Sequence, residues 1–167
     1  MTPLGYAILW SATVATQQGP TRVALAKFVE SEVAVEIVLE QDEHGKASLV
    51  GTFAPLDSQF HLYSKDLPKR GLRGLGRPTL LQIVSSRSIK PAGALAASSP
   101  TLELFIRPLG MQLPVYPAGP VTLTLPISII TDRSVTQLSV TYMACSERVC
   151  LAPVIDKRIA VTIPALR

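Results

Sequence analysis

The stretch "VTLTLPISII" (residues 121–130) decides the fold class. Val121, Leu123, Leu125, Ile127 and Ile129 alternate with Thr122, Thr124, Pro126 and Ser128, a period of two that buries one face and wets the other. Pro126 has no N–H to give a ladder, so it belongs on an edge or at a bulge. The same alternation recurs at Leu138, Val140 and Tyr142, at Ile159, Val161 and Ile163, and at Val33, Val35 and Ile37. Glu30 to Glu40 could be drawn as a helix, but its Val and Ile content favours a strand.

Working outward, "TRVALAKFV", "VAVEIVLE", "KASLVGTFA", "FHLYS", "TLLQIVS", "LELFI", "LSVTYMA" and "RIAVTI" read as further strands. A turn is expected at Asp42–Gly45. Many short strands between turns rich in Gly and Pro predict a single-domain, all-β, antiparallel β-sandwich. The segments "SKDLPKRGLRGLGRPT" (64–79) and "KPAGALAASSPT" (90–101) read as loops, the first solvated and mobile, the second small and flexible. Gly71, Gly74 and Gly76 do not make a phosphate cradle, because no Gly-Lys-Ser/Thr closes it and no helix follows.

Composition agrees. The 167 residues are 47% apolar with few aromatics, and Val, Ile, Leu and Ala dominate. A chain of about 150 residues buries roughly 70% of its unfolded surface, enough for a core without covalent help. The net charge of +4 (16 Lys and Arg, 12 Asp and Glu) is spread over several loops. It lacks the dense basic stripe with interleaved aromatics of a nucleic-acid binder. Residues 1–17 resemble a secretory signal peptide, with an apolar run at Leu4–Ala12 and small residues at Thr13 and Ala15, though no basic residue precedes the run. Residues 18–167 form the expected sandwich domain. No apolar run approaches the roughly 20 residues that span a bilayer.

The chemistry concentrates in "YMACSERVCLAPV" (142–154), which holds both cysteines, Cys145 and Cys150. Closing a loop of about six residues constrains the unfolded chain by only about 2 kcal/mol, against nearly 5 for a hundred-residue loop. So local a bridge stabilises little, yet it keeps two thiols together after reduction, as exchange requires. Zinc would need four ligands, and only His44 and His61 are available to complete a set. A cysteine protease has no use for the second Cys. A thioredoxin-type site is Cys-x-x-Cys leading into a helix, whereas here four residues separate the cysteines and strands flank them. Spacing alone leaves a redox pair and a local structural disulfide both open.

"VTYMACSERVCLAPV" (140–154) resembles the redox segment in the amino-terminal domain of the thiol:disulfide interchange protein DsbD family: Tyr, Cys, a short polar insert, Cys, Pro. "FHLYSKDLP" (60–68) resembles that family's aromatic-Leu-Tyr strand, and "LPVYPAGPVTLTLPI" (113–127) is similar to the strand entering its cysteine hairpin. The match runs from about Val23 to Ile163. It departs in the insert, four residues where the best-known member has five, and at Ala152, where many relatives have Pro. No membrane segment or thioredoxin-like domain follows, so the resemblance fits either an excised part of a larger protein or a stand-alone domain.

The resemblance implies an immunoglobulin-like sandwich in the periplasm, or secreted, working as a monomer without a cofactor. It implies a thiol–disulfide oxidoreductase that relays reducing equivalents from a membrane or thioredoxin-like donor to periplasmic thiol oxidoreductases. Cys150 would join partners and Cys145 would resolve them. His61 and Tyr63, two apart on one strand face, would line the pair and stabilise a thiolate, with Phe60 and Leu62 facing away. Tyr142 is also placed at the site, although core packing is its plainer role. Arg148 in the insert adds positive potential that Glu147 opposes. A cap is expected within "LELFIRPLGMQ" (102–112), with Phe105 as the shield. The competing reading is a non-catalytic binding or scaffold sandwich whose disulfide is a local brace.

Overall fold

The computed structural model describes residues 20–131 and 133–165; the leader-like segment at 1–17 lies outside them. In chain order the strands are β1 (Thr21–Glu30), β2 (Val33–Gln41), β3 (Ala47–Pro55), β4 (His61–Leu62), β5 (Leu80–Ser85), β6 (Ile89–Pro91), β7 (Ala96–Ala97), β8 (Leu102–Ile106), β9 (Met111–Val115), β10 (Val121–Ile129), β11 (Val135–Tyr142), β12 (Ala144–Cys145) and β13 (Val154–Thr162). One 3₁₀ turn, Arg107–Leu109, joins β8 to β9.

Two antiparallel sheets face each other as an immunoglobulin-like sandwich. The first runs β1-β2-β3-β10-β6, with β7 also on β10, and the second runs β13-β11-β5. Local chemistry sets the first sheet's hairpins. Ser31 and Glu32 both take positive φ, giving the tight two-residue turn that suits strand twist. Asp42 accepts from the backbone N–H groups of His44 and Lys46, closing the expected β2–β3 turn. Every second residue of β10 is buried from Val121 to Ile127, as the alternation predicts.

Pro126 explains itself in this arrangement. Its carbonyl accepts from Ala92 N–H, on the side of β10 away from β3. On that side β7 covers Leu123 and Thr124, β6 begins at Ile127, and Pro126 falls in the gap. Its missing donor therefore faces a broken edge. The segment 90–101, expected to be loop, contributes these two short strands; Ala-rich two- and three-residue pairings leave no periodicity to read.

Two apolar clusters divide the interior. The larger fills the space between the sheets and includes the buried Val35, Ile37, Leu49, Phe53, Leu123, Leu138 and Val140. Each large apolar side chain there contributes about 1.5–3 kcal/mol. Tyr142 belongs to this cluster. Its ring meets Phe53 edge-on and its hydroxyl donates to the carbonyl of Glu30, tying the second sheet to β1. The smaller cluster lies under the hairpin β8–β9 and contains Cys145.

"LPVYPAGPVTLTLPI" does not form one strand entering the cysteine turn. It splits into β9 and β10 around the Pro117–Pro120 stretch, and β10 lies in the first sheet. The strand that leads to the cysteines is β11.

Candidate functional site

Cys145 and Cys150 stand opposite each other in an antiparallel bridge and are joined as a disulfide, with their Cα atoms 4.0 Å apart. The backbone holds this geometry independently of sulfur. Leu151 N–H donates to Ala144 O, and Ser146 N–H donates to Val149 O. Ser146 Oγ accepts from the N–H groups of Arg148 and Val149, a side-chain turn that makes "SERV" reverse tightly. Reduced thiols would therefore stay side by side.

The two sulfurs differ in setting. Cys145 is fully buried, whereas Cys150 is only partly so. On one side β12 pairs with β4, placing Cys145 opposite His61 and Ala144 opposite Leu62. Opposed residues share a face, and so does the next residue but one. His61, Tyr63 and Cys145 therefore emerge together, while Phe60 and Leu62 enter the larger core, as expected. Tyr63 is fully buried and its hydroxyl donates to Cys145 Sγ at 2.9 Å. Burial pushes the Tyr63 phenol well above its ordinary value. The O–H thus stays a donor throughout neutral and mildly alkaline pH. His61 is half-buried, donates from Nδ1 to the carbonyl of Tyr116 at 3.2 Å, and lines a polar recess with Gln59, Ala118, Ser146, Glu147 and Arg148.

On the other side lies the hairpin. Ile106, Leu113 and Val115 are buried with Tyr63, Leu67 and Cys145, and Leu104, Leu109, Met111 and Met143 pack against that group. Phe105 does not. It stands on the outer face of β8, 52% exposed and opposite Gln112, because alternation puts it out of phase with Leu104 and Ile106. The resemblance implied Phe105 as a shield; strand phase instead turns Leu104 and Ile106 toward the cluster that holds Cys145. Gly110, in the left-handed conformation, closes the 3₁₀ turn and returns the chain into β9.

The structure thus brings together Cys145, Cys150, Tyr63 and His61. It places Tyr142 in the sandwich core and Phe105 on the surface. Sequence reading missed Ile106, Leu113 and Leu67; for Ile106 the signal was present in the period of "LELFI". Among the described residues no group of three His, Cys, Asp or Glu side chains is placed to hold a metal. No helix among them is long and apolar enough to cross a membrane.

No family model and no curated protein matches the chain. Among solved structures, the N-terminal periplasmic domain of ScsB from Proteus mirabilis is similar, with a TM-score of 0.53 and 12% identity. The similarity covers 86% of this chain and 53% of that one, so this chain spans about half its length. At that identity the likeness is one of fold, and it is the sandwich that the sequence resemblance implied.

Proposed function

We propose that the chain is a periplasmic thiol–disulfide exchange module that cycles between a Cys145/Cys150 dithiol and the disulfide. It takes reducing equivalents from a membrane or thioredoxin-like donor and hands them to thioredoxin-like acceptors. The observation that carries this reading is the unequal pair: a buried Cys145 sulfur held by the Tyr63 hydroxyl, beside a partly exposed Cys150. Burial and the Tyr63 bond would also stabilise a brace, but a brace has no use for a second sulfur left within a partner's reach. The bridge is worth about 2 kcal/mol, comparable to one core side chain.

The chemistry follows from that asymmetry. To reduce an acceptor, the Cys150 thiolate attacks one sulfur of the acceptor's disulfide, forming a mixed disulfide and expelling the other sulfur as a thiolate. Cys145, deprotonated, then attacks Cys150 Sγ. The Cys145–Cys150 bond forms, the mixed disulfide breaks, and the acceptor leaves as a dithiol. Two electrons and two protons have moved from the module to the acceptor. Recharging runs the other way: a donor thiolate attacks Cys150 and Cys145 leaves as a thiolate. The donor's second thiolate then attacks its own sulfur in the mixed disulfide, so that Cys150 leaves as a thiolate and the donor as a disulfide. A lower leaving-group pKa speeds the first of these steps, and the Tyr63 O–H is aimed at the sulfur on which the charge appears. The side chains under β8–β9 shield the pair from small disulfides until a partner displaces them.

Trapping tests the assignment. Cys145→Ser should accumulate a mixed disulfide with a thioredoxin-like protein through Cys150, because the resolving thiol is gone. Cys150→Ser should accumulate none. Mass spectrometry that finds the partner on Cys145 in the Cys150→Ser variant would reverse the roles.

A further inference from the structure

The chain's excess charge sits in one loop. Residues 64–79 hold Lys65, Lys69, Arg70, Arg73 and Arg77 against a single acid, Asp66, which is five minus one, or +4. The rest of the chain has 16 minus 5 cations and 12 minus 1 acids, eleven of each. The whole formal net charge therefore resides in this segment, rather than being spread over several loops.

The loop is built, and it is built on the redox site. Its two ends meet at one carbonyl: both the N–H and the hydroxyl of Thr79 donate to Tyr63 O. Such a closed neck makes it an Ω-loop, rooted on the residue whose hydroxyl reaches Cys145 Sγ. Inside, Leu72 and Leu75 exchange backbone hydrogen bonds around Arg73 and Gly74, both at positive φ. A Cβ at Gly71 would lie 1.9 Å from Leu75 O, so only glycine fits that approach. The Arg77 guanidinium donates to the carbonyls of Arg70, Gly74 and Gly76, gathering the loop onto itself. Leu67 and Leu72 pack into the small cluster with Cys145, and Gly76 sits where a Cβ would meet Leu113 and Tyr63.

This construction turns three cations outward. Lys69, Arg70 and Arg73 are exposed, and none makes an ion pair among the described residues; Lys65 is paired with Asp66. Arg148 in the cysteine turn and Arg107 beside the hairpin tip add exposed positive charge, against Glu147 and Glu103. A segment merely needing solubility would not concentrate the net charge of the chain beside its one reactive pair.

We infer that the 64–79 loop is a docking rim that draws in a protein partner whose surface around its reactive cysteine is acidic. The inference rests on the exchange function proposed above. A partner's sulfur must reach Cys150, and an acidic surface meeting Lys69, Arg70 and Arg73 would approach in an orientation that brings it there. Clefts and patches of one sign raise association rates by factors of ten to a thousand, falling steeply with salt. A membrane or nucleic-acid surface is disfavoured, since occupying this face would cover the pair.

The test uses the reduced chain and disulfide-linked peptide probes of equal length whose cysteine is flanked by Asp and Glu, by Ser, or by Lys. At low salt the acidic probe should react about tenfold faster than the basic one. The gap should fall below about twofold in the Lys69→Gln/Arg70→Gln/Arg73→Gln variant, and also in wild type at about 0.5 M salt, where the screening length is about 4 Å. The Ser probe should react at the same rate with wild type and variant. Equal rates for acidic and basic probes with wild type would overturn the inference while leaving the exchange function standing. If no probe exchanges, the side chains under β8–β9 exclude short peptides as they do small disulfides, and trapping of a thioredoxin-like protein by Cys145→Ser still tests the exchange function. Salt-sensitive binding of the acidic peptide with Ser in place of Cys, read from amide shifts in the loop, then decides for or against the rim. Co-sedimentation of the chain with anionic phospholipid vesicles at physiological salt, with no preference among peptides, would assign the loop to a membrane and refute it.

Discussion

Replacing Tyr63 with Phe removes one oxygen from the buried side of the pair and leaves the ring in place. Tyr63 is fully buried, and its hydroxyl donates to Cys145 Sγ at 2.9 Å. A hydrogen bond to a neutral acceptor is worth about 1 kcal/mol net, and one to a charged group about 1.5–3. The bond therefore strengthens by about 0.5–2 kcal/mol as Cys145 becomes a full thiolate. Part of that charge has developed in the transition state when an external thiolate opens the disulfide at Cys150. Since 1.36 kcal/mol is a factor of ten in rate and about half the charge has developed, Tyr63→Phe should slow opening by about two- to fivefold. Stability should change by less than about 1 kcal/mol, because the sulfur left behind is a weak acceptor. The assay is stopped-flow reduction of the oxidised protein by a monothiol, with thermal unfolding as the control. Burial keeps the Tyr63 phenol protonated above its ordinary range, so the ratio of wild-type to mutant rates should stay flat from neutral to mildly alkaline pH. Equal rates in a folded Tyr63→Phe protein would refute the leaving-group role.

Three more outcomes follow from the same geometry. Replacing both cysteines by Ser should leave a folded sandwich about 2 kcal/mol less stable; an unfolded double variant in far-UV circular dichroism would make the bridge a staple. Leu109→Ala or Met111→Ala should speed reaction of the reduced pair with oxidised glutathione, whereas Phe105→Ala, on the outer face, should not; the opposite pattern would restore Phe105 as the shield. Tyr63, Tyr116 and Tyr142 all have phenol pKa values raised by burial from an unfolded value near 10. Their stabilising effect is fully present below pH 10 and is lost above it, as unfolded chains ionise and folded ones do not. Urea unfolding should show stability falling as pH rises past 10, less steeply in Tyr63→Phe; a flat profile would contradict the burial.

The sandwich was legible wherever strands were long enough to alternate. The runs in β2, β10 and β11 each show a buried face in sequence, and each forms a ladder strand. The small assemblies around the site were harder to read. β4, β7 and β12 are two residues long, too short for any period, and their partners lie up to about eighty residues away in the register Cys145↔His61. The resemblance carried the cysteine pair and the shared face of His61 and Tyr63, because both lie within contiguous motifs. Phe105, which the resemblance implied as an aromatic shield, stands on the outer face of β8, because strand phase turns Leu104 and Ile106 toward the cluster of Cys145 in its place. The 64–79 loop looked mobile because Gly, Lys and Arg are the residues of solvated turns. What orders it is the closure at Tyr63 O and the three-way donation by Arg77, contacts that no local pattern announces.

The central claim is that Cys145 and Cys150 form a working redox couple, and its reduction potential tests that most directly. Structural disulfides of exported proteins lie below about −300 mV, while exchange-active pairs lie well above. Equilibration of the full chain with glutathione or dithiothreitol buffers, read by mass shift after thiol alkylation, gives the value. A potential clearly above about −300 mV is the result expected here; a potential at or below it would make the pair a brace and contradict the exchange function.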